Sequence, residues 1–459
     1  MTTVVAEQDP FDIRRARRAP GLLRPFNDAG ELTAADVHVA LRLARLAPER
    51  GEAVLLAAAL AVRAPRLGHV YVDLSTIRDT AAVETDEPVE LSALPWPEAA
   101  AWAADVATSP LVGVGDDAAV QAGRPLRLVG SRLYLDRYWR EERCVAADLA
   151  AFSAQPASAV DMGVLHGGLQ RLFAGQTESR QCLAAACAVL RRLTVVAGGP
   201  GTGKTTTVAR IVALLAEQAA AAGEPPPLVA LAAPTGKAAA RLEEAVHEEA
   251  ATLDVDGAVR EQLHALQAST LHRLLGWRPG SHSRFRHHRG QRLPHDVVIV
   301  DETSMVSLSL MARLVESVRT DARLVLVGDP GQLASIEAGA VLGDIVGPAG
   351  DALQIGPAAG ALLAATTGHD VAARATAGAP IGDGIVVLDR VHRFGGGIAL
   401  LAEAIRRGDA DAVMEVLSER RKDVTWIDVD VAGAAASGAP GMLAPVRDQA
   451  VAADRKSVV

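Results

Sequence analysis

Residues 193–210, LTVVAGGPGTGKTTTVAR, constrain this chain more than any other stretch. Residues 193–197 form a short apolar run rich in β-branched side chains, the pattern of a buried strand. Residues 198–205 then fit G-x-x-x-x-G-K-[ST], and a helix-forming run follows from Thr206. In that strand–loop–helix context the glycines let backbone N–H groups turn inward, and the helix N-terminus adds partial positive charge. The loop residues Gly198, Gly199, Pro200, Gly201, Thr202 and Gly203 then cradle phosphates. Lys204 is placed to reach the β- and γ-phosphates, with the hydroxyl of Thr205 on Mg²⁺ and Thr206 behind it. Of 46 basic residues only four are lysines, at 204, 237, 422 and 456, so a lysine here by coincidence is improbable. The motif implies a site for a nucleoside triphosphate with Mg²⁺. A glycine-rich turn without a ligand is the competing reading.

Two further strands end in chemistry. VVIVDETSM (297–305) runs into Asp301 and Glu302, and in parallel sheets ligands sit at the carboxyl ends of strands. Asp301 suits the metal shell and Glu302 the base that activates water, although a carboxylate pair at a helix start has the same sequence. LVLVGDPGQLAS (324–335) leads to Gln332, whose amide both donates and accepts, as sensing a γ-phosphate and its water requires. A plain turn at 329–331 is present on either reading. Between these motifs lie LAAPTGKAAARL (231–242) and ASTLHRLLG (268–276). Thr235 and Lys237 stand where a strand becomes a helix, a natural phosphate-backbone site. His272 on an apolar helix face is as well explained by packing as by contact with a ligand. The basic stretch 281–292, SHSRFRHHRGQR, suits single-stranded DNA and a solvated loop equally.

A length of 459 residues allows about three domains. The net charge of −9 confines any nucleic-acid contact to local basic patches. Cys144, Cys182 and Cys187 show neither C-x-x-C spacing nor an even count, the usage of a reducing, cytoplasmic compartment. No secretory leader or membrane-length apolar run is visible, so no membrane partner is expected. Residues 1–160 carry no recognisable chemistry: helices near 33–48, 52–62 and 96–108, an extended GHVYVDLS (68–75), and a Gly130-Ser131 hairpin. From residue 165 strands alternate with helices, the pattern of a parallel α/β sheet, with strands expected at 193–197, 228–233, 296–300 and 323–328. The Gly/Ala-rich stretch 347–383 reads as a flexible insertion, and strands near 385–388 and 424–428 as a second, shorter α/β piece.

The order of these motifs resembles superfamily 1 DNA helicases, and within them the RecD family, the alpha subunits of exodeoxyribonuclease V. The likeness covers residues 165–430 strongly and residues 1–160 more weakly, mainly through GHVYVDL. It implies an α/β fold: a RecA-like P-loop ATPase core on a parallel sheet (165–346), after a small, mainly helical partner-docking domain (1–160). The insertion (347–383) and an incomplete second RecA-like domain (384–459) would follow. By the same resemblance Gln181 reads adenine, Lys204, Asp301, Glu302 and Gln332 act as above, and Arg393 closes on the γ-phosphate from the second domain. Thr235, Lys237, Thr270 and His272 match DNA-contacting motifs. The implied activity is an ATP-driven 5′-to-3′ DNA helicase motor, not a nuclease, acting on single-stranded and end-containing double-stranded DNA beside RecB-like and RecC-like subunits.

Two departures qualify the resemblance. The last two helicase motifs of the family are absent, and the closing DRKSVV reads like a translated library adapter, so a C-terminally truncated copy is expected. Such a copy would bind ATP yet show negligible DNA-stimulated hydrolysis. Two other functions fit part of the pattern, a P-loop switch without DNA work and a non-catalytic interaction subunit.

Overall fold

The computed structural model describes residues 12–46, 51–82, 91–117, 123–155, 157, 160–175, 179–278, 285–332, 335, 337–347, 353–371, 380–389, 396–419, 421, 423–426, 444, 447–448 and 451. By packing the chain falls into two units, residues 1–199 with 203–389, and residues 200–202 with 390–459.

The first unit begins with helices α1 (Ala34–Leu43), α2 (Glu52–Arg63) and α3 (Ala99–Thr108) against a four-stranded sheet. Its strands are β1 (Tyr71–Asp73), β2 (Val112–Val114), β3 (Leu126–Val129) and β4 (Arg132–Leu135), in the order β1-β4-β3-β2. Thr33 and Asp36 make the expected helix start as a reciprocal capping box, which satisfies two backbone donors of α1. The hairpin turns at Gly130, whose φ of +62° suits glycine. Phe26, Leu60, Trp102, Leu126 and Leu133 fill a core of their own beneath this sheet.

Helix α4 (Asp136–Ala154) leads out of that sheet, followed by α5 (Met162–Leu172) and α6 (Arg180–Leu190). The large sheet has six parallel strands: β5 (Leu193–Gly198), β6 (Val229–Ala233), β7 (Ala268–Thr270), β8 (Val297–Val300), β9 (Arg323–Gly328) and β10 (Ile385–Leu388). Their order is β10-β5-β9-β8-β6-β7. Between them run α7 (Lys204–Ala221), α8 (Gly236–Thr252), α9 (Gly257–Ala265), α10 (Leu271–Leu274) and α11 (Leu308–Ser317). Alternate strand residues face opposite cores, because side chains alternate with a period of two. Val196, Leu231, Ile299, Val325 and Val386 meet α6, α7 and α8 on one face. Val195, Ala232, Val298, Val300 and Leu326 meet α4 and α11 on the other. Both faces are covered, as near-continuous apolar strands require.

Val145, Leu149 and Phe152 of α4 are buried in the core of the large sheet, so this helix joins that core rather than the one beneath the small sheet. Two sequence expectations change. The strand at 385–388 does not open a second sheet. It pairs with β5 in register from Ile385 against Val195 to Leu388 against Gly198, and its mixed apolar side chains are buried on both faces as an added edge. Val424–Trp426 carry no strand, and 427–428 lie outside the described residues. Within 347–383, expected to be flexible, residues Pro357–Thr367 form helix α12 on α5 and α6, burying Ala359, Leu363, Thr366 and Thr367. His166 of α5 bonds the Thr366 carbonyl at 2.8 Å. Small residues gave the segment a linker's composition, yet they are what lets a helix approach closely. In the second unit α13 (Gly396–Arg407) packs on α14 (Ala410–Ser418).

Candidate nucleotide and nucleic-acid site

All six strands of the large sheet are parallel, so their carboxyl ends share one edge, and the motif residues lie along it. β5 runs into the phosphate loop with fully buried side chains from Leu193 to Gly198. The loop turns through Gly201 and Gly203, both at φ +78°, and Gly203 precedes α7 without any side-chain cap. Its neighbours differ. Helices α6, α8, α9 and α11 start at Ser179, Thr235, Asp256 and Ser307, each accepting a backbone N–H of its own first turn. The first N–H groups of α7 are left for a ligand, with the helix dipole behind them.

Lys204 donates to the carbonyls of Gly198 at 2.7 Å and Gly199 at 2.9 Å. These bonds hold the ammonium inside the turn and leave one of its three protons for a ligand oxygen. Gln181 is buried on α6, and a Cβ at Gly203 would land on its amide nitrogen. The expected adenine reader is thus packed against the backbone of the phosphate loop. Arg180, one residue earlier, was missed from sequence; it donates to the Val387 carbonyl at 2.8 Å and pairs with Asp389 at 3.1 Å. It ties the glutamine's helix to β10.

Asp301 directly follows β8, with 8% of its surface exposed. Burial lifts its carboxyl to about 6, with the Glu302 charge adding to the rise, while the Glu302 backbone N–H and the Lys204 ammonium oppose it. A buried carboxylate with a lysine in its field suits a divalent cation, which would supply the charge that water does not. Thr205 is half-buried in the first turn of α7. These donors fit magnesium and a triphosphate.

Glu302 sits at φ +51°, ψ +40°, the one positive φ outside glycine among the described residues. That conformation costs on the order of 1–3 kcal/mol and persists where the surroundings over-determine it. The surroundings are tight: a Cβ on Gly328 of β9 would come within 3.1 Å of the Thr303 nitrogen and 3.2 Å of the Ser304 nitrogen. Ser304 donates to the Gln332 amide oxygen at 3.4 Å, linking the acidic strand to the glutamine at the end of β9. Ser304 carries no signal of this link in the residue pattern. Arg393 lies outside the described residues.

The DNA-motif residues occupy the other end of this edge. Ala233 of β6 pairs with Thr270 of β7, so the two strand–helix turns stand side by side. Thr235 caps α8 through the Ala238 N–H at 3.2 Å, and Thr270 caps α10 through the Arg273 N–H at 3.2 Å. Thr235, Lys237 and His272 are exposed. His272 therefore does not pack into the core; its ring lies 5.9 Å from that of Phe285. Beyond it Trp277 is 43% exposed, and Trp277 and Phe285 form an antiparallel bridge. Of the basic stretch 281–292, residues 281–284 lie outside the described residues.

Residues 181–338 match the family model of an AAA domain, and residues 28–134 match that of the RecBCD enzyme subunit RecD, N-terminal domain. The chain is 48% identical over 402 residues to the RecBCD enzyme subunit RecD of Mycolicibacterium smegmatis, covering 87% of this chain and 62% of that protein. It is 49% identical over 421 residues to the RecBCD enzyme subunit RecD of Mycobacterium tuberculosis, covering 91% and 63%. The ATP-dependent RecD2 DNA helicase of Deinococcus radiodurans is 33% identical over 228 residues, 49% of this chain and 27% of its own. The chain thus spans less than two thirds of the length of these two RecD proteins. A RecD-type N-terminal region, an AAA-type nucleotide site and near-half identity running through both make the chain similar to RecD proteins over most of its own length.

Proposed function

We propose that this chain carries the ATP-binding and single-strand-binding parts of a 5′-to-3′ DNA helicase motor, a subunit of a RecBCD-type exonuclease V complex. One observation carries the reading: an uncapped helix start behind left-handed Gly203, with Lys204 in the turn and buried Asp301 in its field. Bound magnesium–ATP would supply the phosphoryl transfer that drives such a motor. Lys204 neutralises the terminal phosphates, Thr205 and Asp301 hold the cation, and Gln181 keeps the loop in shape. Glu302 accepts a proton from the attacking water, with Gln332 orienting it from Ser304. Arg393 is assigned the closing arginine. Thr235, Lys237, Thr270 and His272 line the strand's path, and residues 1–160 dock RecB-like and RecC-like subunits. The place of action is the cytoplasm, on single strands and on duplex ends.

The test is a double dissociation on the 459-residue chain. Magnesium–ATP and a single-stranded oligonucleotide should each bind. Lys204→Ala should weaken ATP about 10- to 150-fold, the share of a charged hydrogen-bond donor, and leave the strand's affinity alone. Lys237→Ala should lower the salt slope of strand binding by about 0.7 and leave ATP alone. Unchanged ATP affinity in the first variant would sink the nucleotide assignment.

A further inference from the structure

The aromatic residues beside His272 belong to a small ribbon whose attachment assigns work to the N-terminal region. Gly276, at φ +70°, turns the chain, and a Cβ there would come within 2.7 Å of Arg286 Cβ. The Arg286 N–H donates to the Gly276 carbonyl at 2.9 Å, and the His287 N–H to that of Leu275 at 3.0 Å. His288 and Gln291 exchange backbone bonds of 3.1 and 2.8 Å, so Arg289 and Gly290 form the ribbon's tip. From that tip Arg289 makes a forked pair with Asp148, 3.1 Å to one carboxylate oxygen and 2.7 Å to the other. Asp148 is on α4, 141 residues earlier in sequence.

Helix α4 is a firm post. Val145 and Leu149, which flank Asp148 on it, are buried in the core of the large sheet. Farther along, Glu141 accepts from Ser309 of α11 at 2.6 Å, and Arg137 donates to the same hydroxyl at 3.0 Å. The Asp148 carboxylate is itself mostly covered, at 17% exposure, which fixes one end of the pair. Exposed ion pairs contribute little on average, but forked, planar arginine–carboxylate pairs are the exception.

We propose that Asp148 is a positioning residue for single-stranded DNA: through Arg289 it holds the ribbon so that Trp277 and Phe285 stand beside His272 as a stacking platform. The inference rests on the DNA-motor reading above. An aromatic platform helps binding only to the extent that it is ordered beforehand. The N-terminal region, through α4, then contributes to strand binding without touching the strand.

The experiment uses the full 459-residue chain, hydrogen exchange without DNA, and binding of an oligothymidylate. Asp148→Asn should speed exchange of the Arg286 and His288 amides and weaken the oligonucleotide, each by about fivefold, the ratio for about 1 kcal/mol. ATP affinity should not move, and the midpoint of thermal unfolding should fall by no more than about 2 °C. The exchanged pair Asp148→Arg with Arg289→Asp should restore both readouts, which a merely structural role for either residue would not allow. Tighter DNA binding with a steeper salt slope in Asp148→Asn would overturn the proposal, because Arg289 would then be a DNA contact that Asp148 masks. Unchanged exchange and affinity would overturn it as well. If the unmodified chain failed to bind the oligonucleotide at all, the motor reading would fall, and this proposal with it.

Discussion

The two ends of one sheet edge solve the same local problem in opposite ways. At β5 a strand enters a helix through a left-handed glycine, and the helix start carries no side-chain cap. At β6 and β7 strands enter helices through threonines whose hydroxyls satisfy the first turn. The first end keeps its backbone donors for a compact, multiply charged ligand, and it accepts a buried carboxylate and a strained glutamate nearby. The second end satisfies its helix starts with threonine caps and leaves Thr235, Lys237 and His272 exposed. Local economy of hydrogen bonds thus separates an uncapped helix start from capped ones within one architecture.

The largest test of that contrast is Asp301→Asn. Burial holds the Asp301 carboxyl at about 6 in the folded chain, against 3.8 for the ordinary carboxyl. Between those values the folded state keeps a proton that the unfolded state releases, so stability falls as pH rises through that window. Above about 6 the full cost, on the order of 3 kcal/mol, is present. With magnesium chelated at pH 7, Asp301→Asn should therefore raise unfolding stability by up to that order, as urea titration would read it. A less stable variant would mean that the carboxylate is held by something other than burial. Next comes Gly203→Ala, expected to cost about 1–2 kcal/mol for the left-handed backbone, besides displacing Gln181. Adding Gln181→Ala should recover only the steric share. Full recovery would show that the conformation itself is not required. Smallest is Thr235→Ala at the capped end, a loss of about 1 kcal/mol in stability with ATP affinity unchanged. A change in ATP binding there would erase the distinction between the two ends.

The four strands at 193–198, 229–233, 297–300 and 323–328 were legible because unbroken apolar, β-branched runs have few other uses. Their carboxyl-end residues followed from the motif, which is local in sequence. What escaped were relations between distant segments. The runs alone do not tell that 385–388 is an edge of the first sheet, since any buried parallel strand reads alike. Helix α12 hid behind its alanines and glycine. The Arg289–Asp148 pair joins two ordinary surface patterns, and the left-handed Glu302 has no glycine or turn signal in the sequence to announce it.

That left-handed glutamate, together with its buried neighbour, has a thermodynamic corollary. Strain at Glu302 and desolvation of Asp301 each oppose folding by a few kcal/mol, in two adjacent residues. A ligand that binds only the folded state stabilises it by about 4.1 kcal/mol when present at a thousand times its dissociation constant. A nucleotide bound at this end of the sheet would then act as a folding partner for it. The strand termini around residues 301–304 should be among the first segments of the sheet to open when nucleotide is scarce, and among the last when it is plentiful.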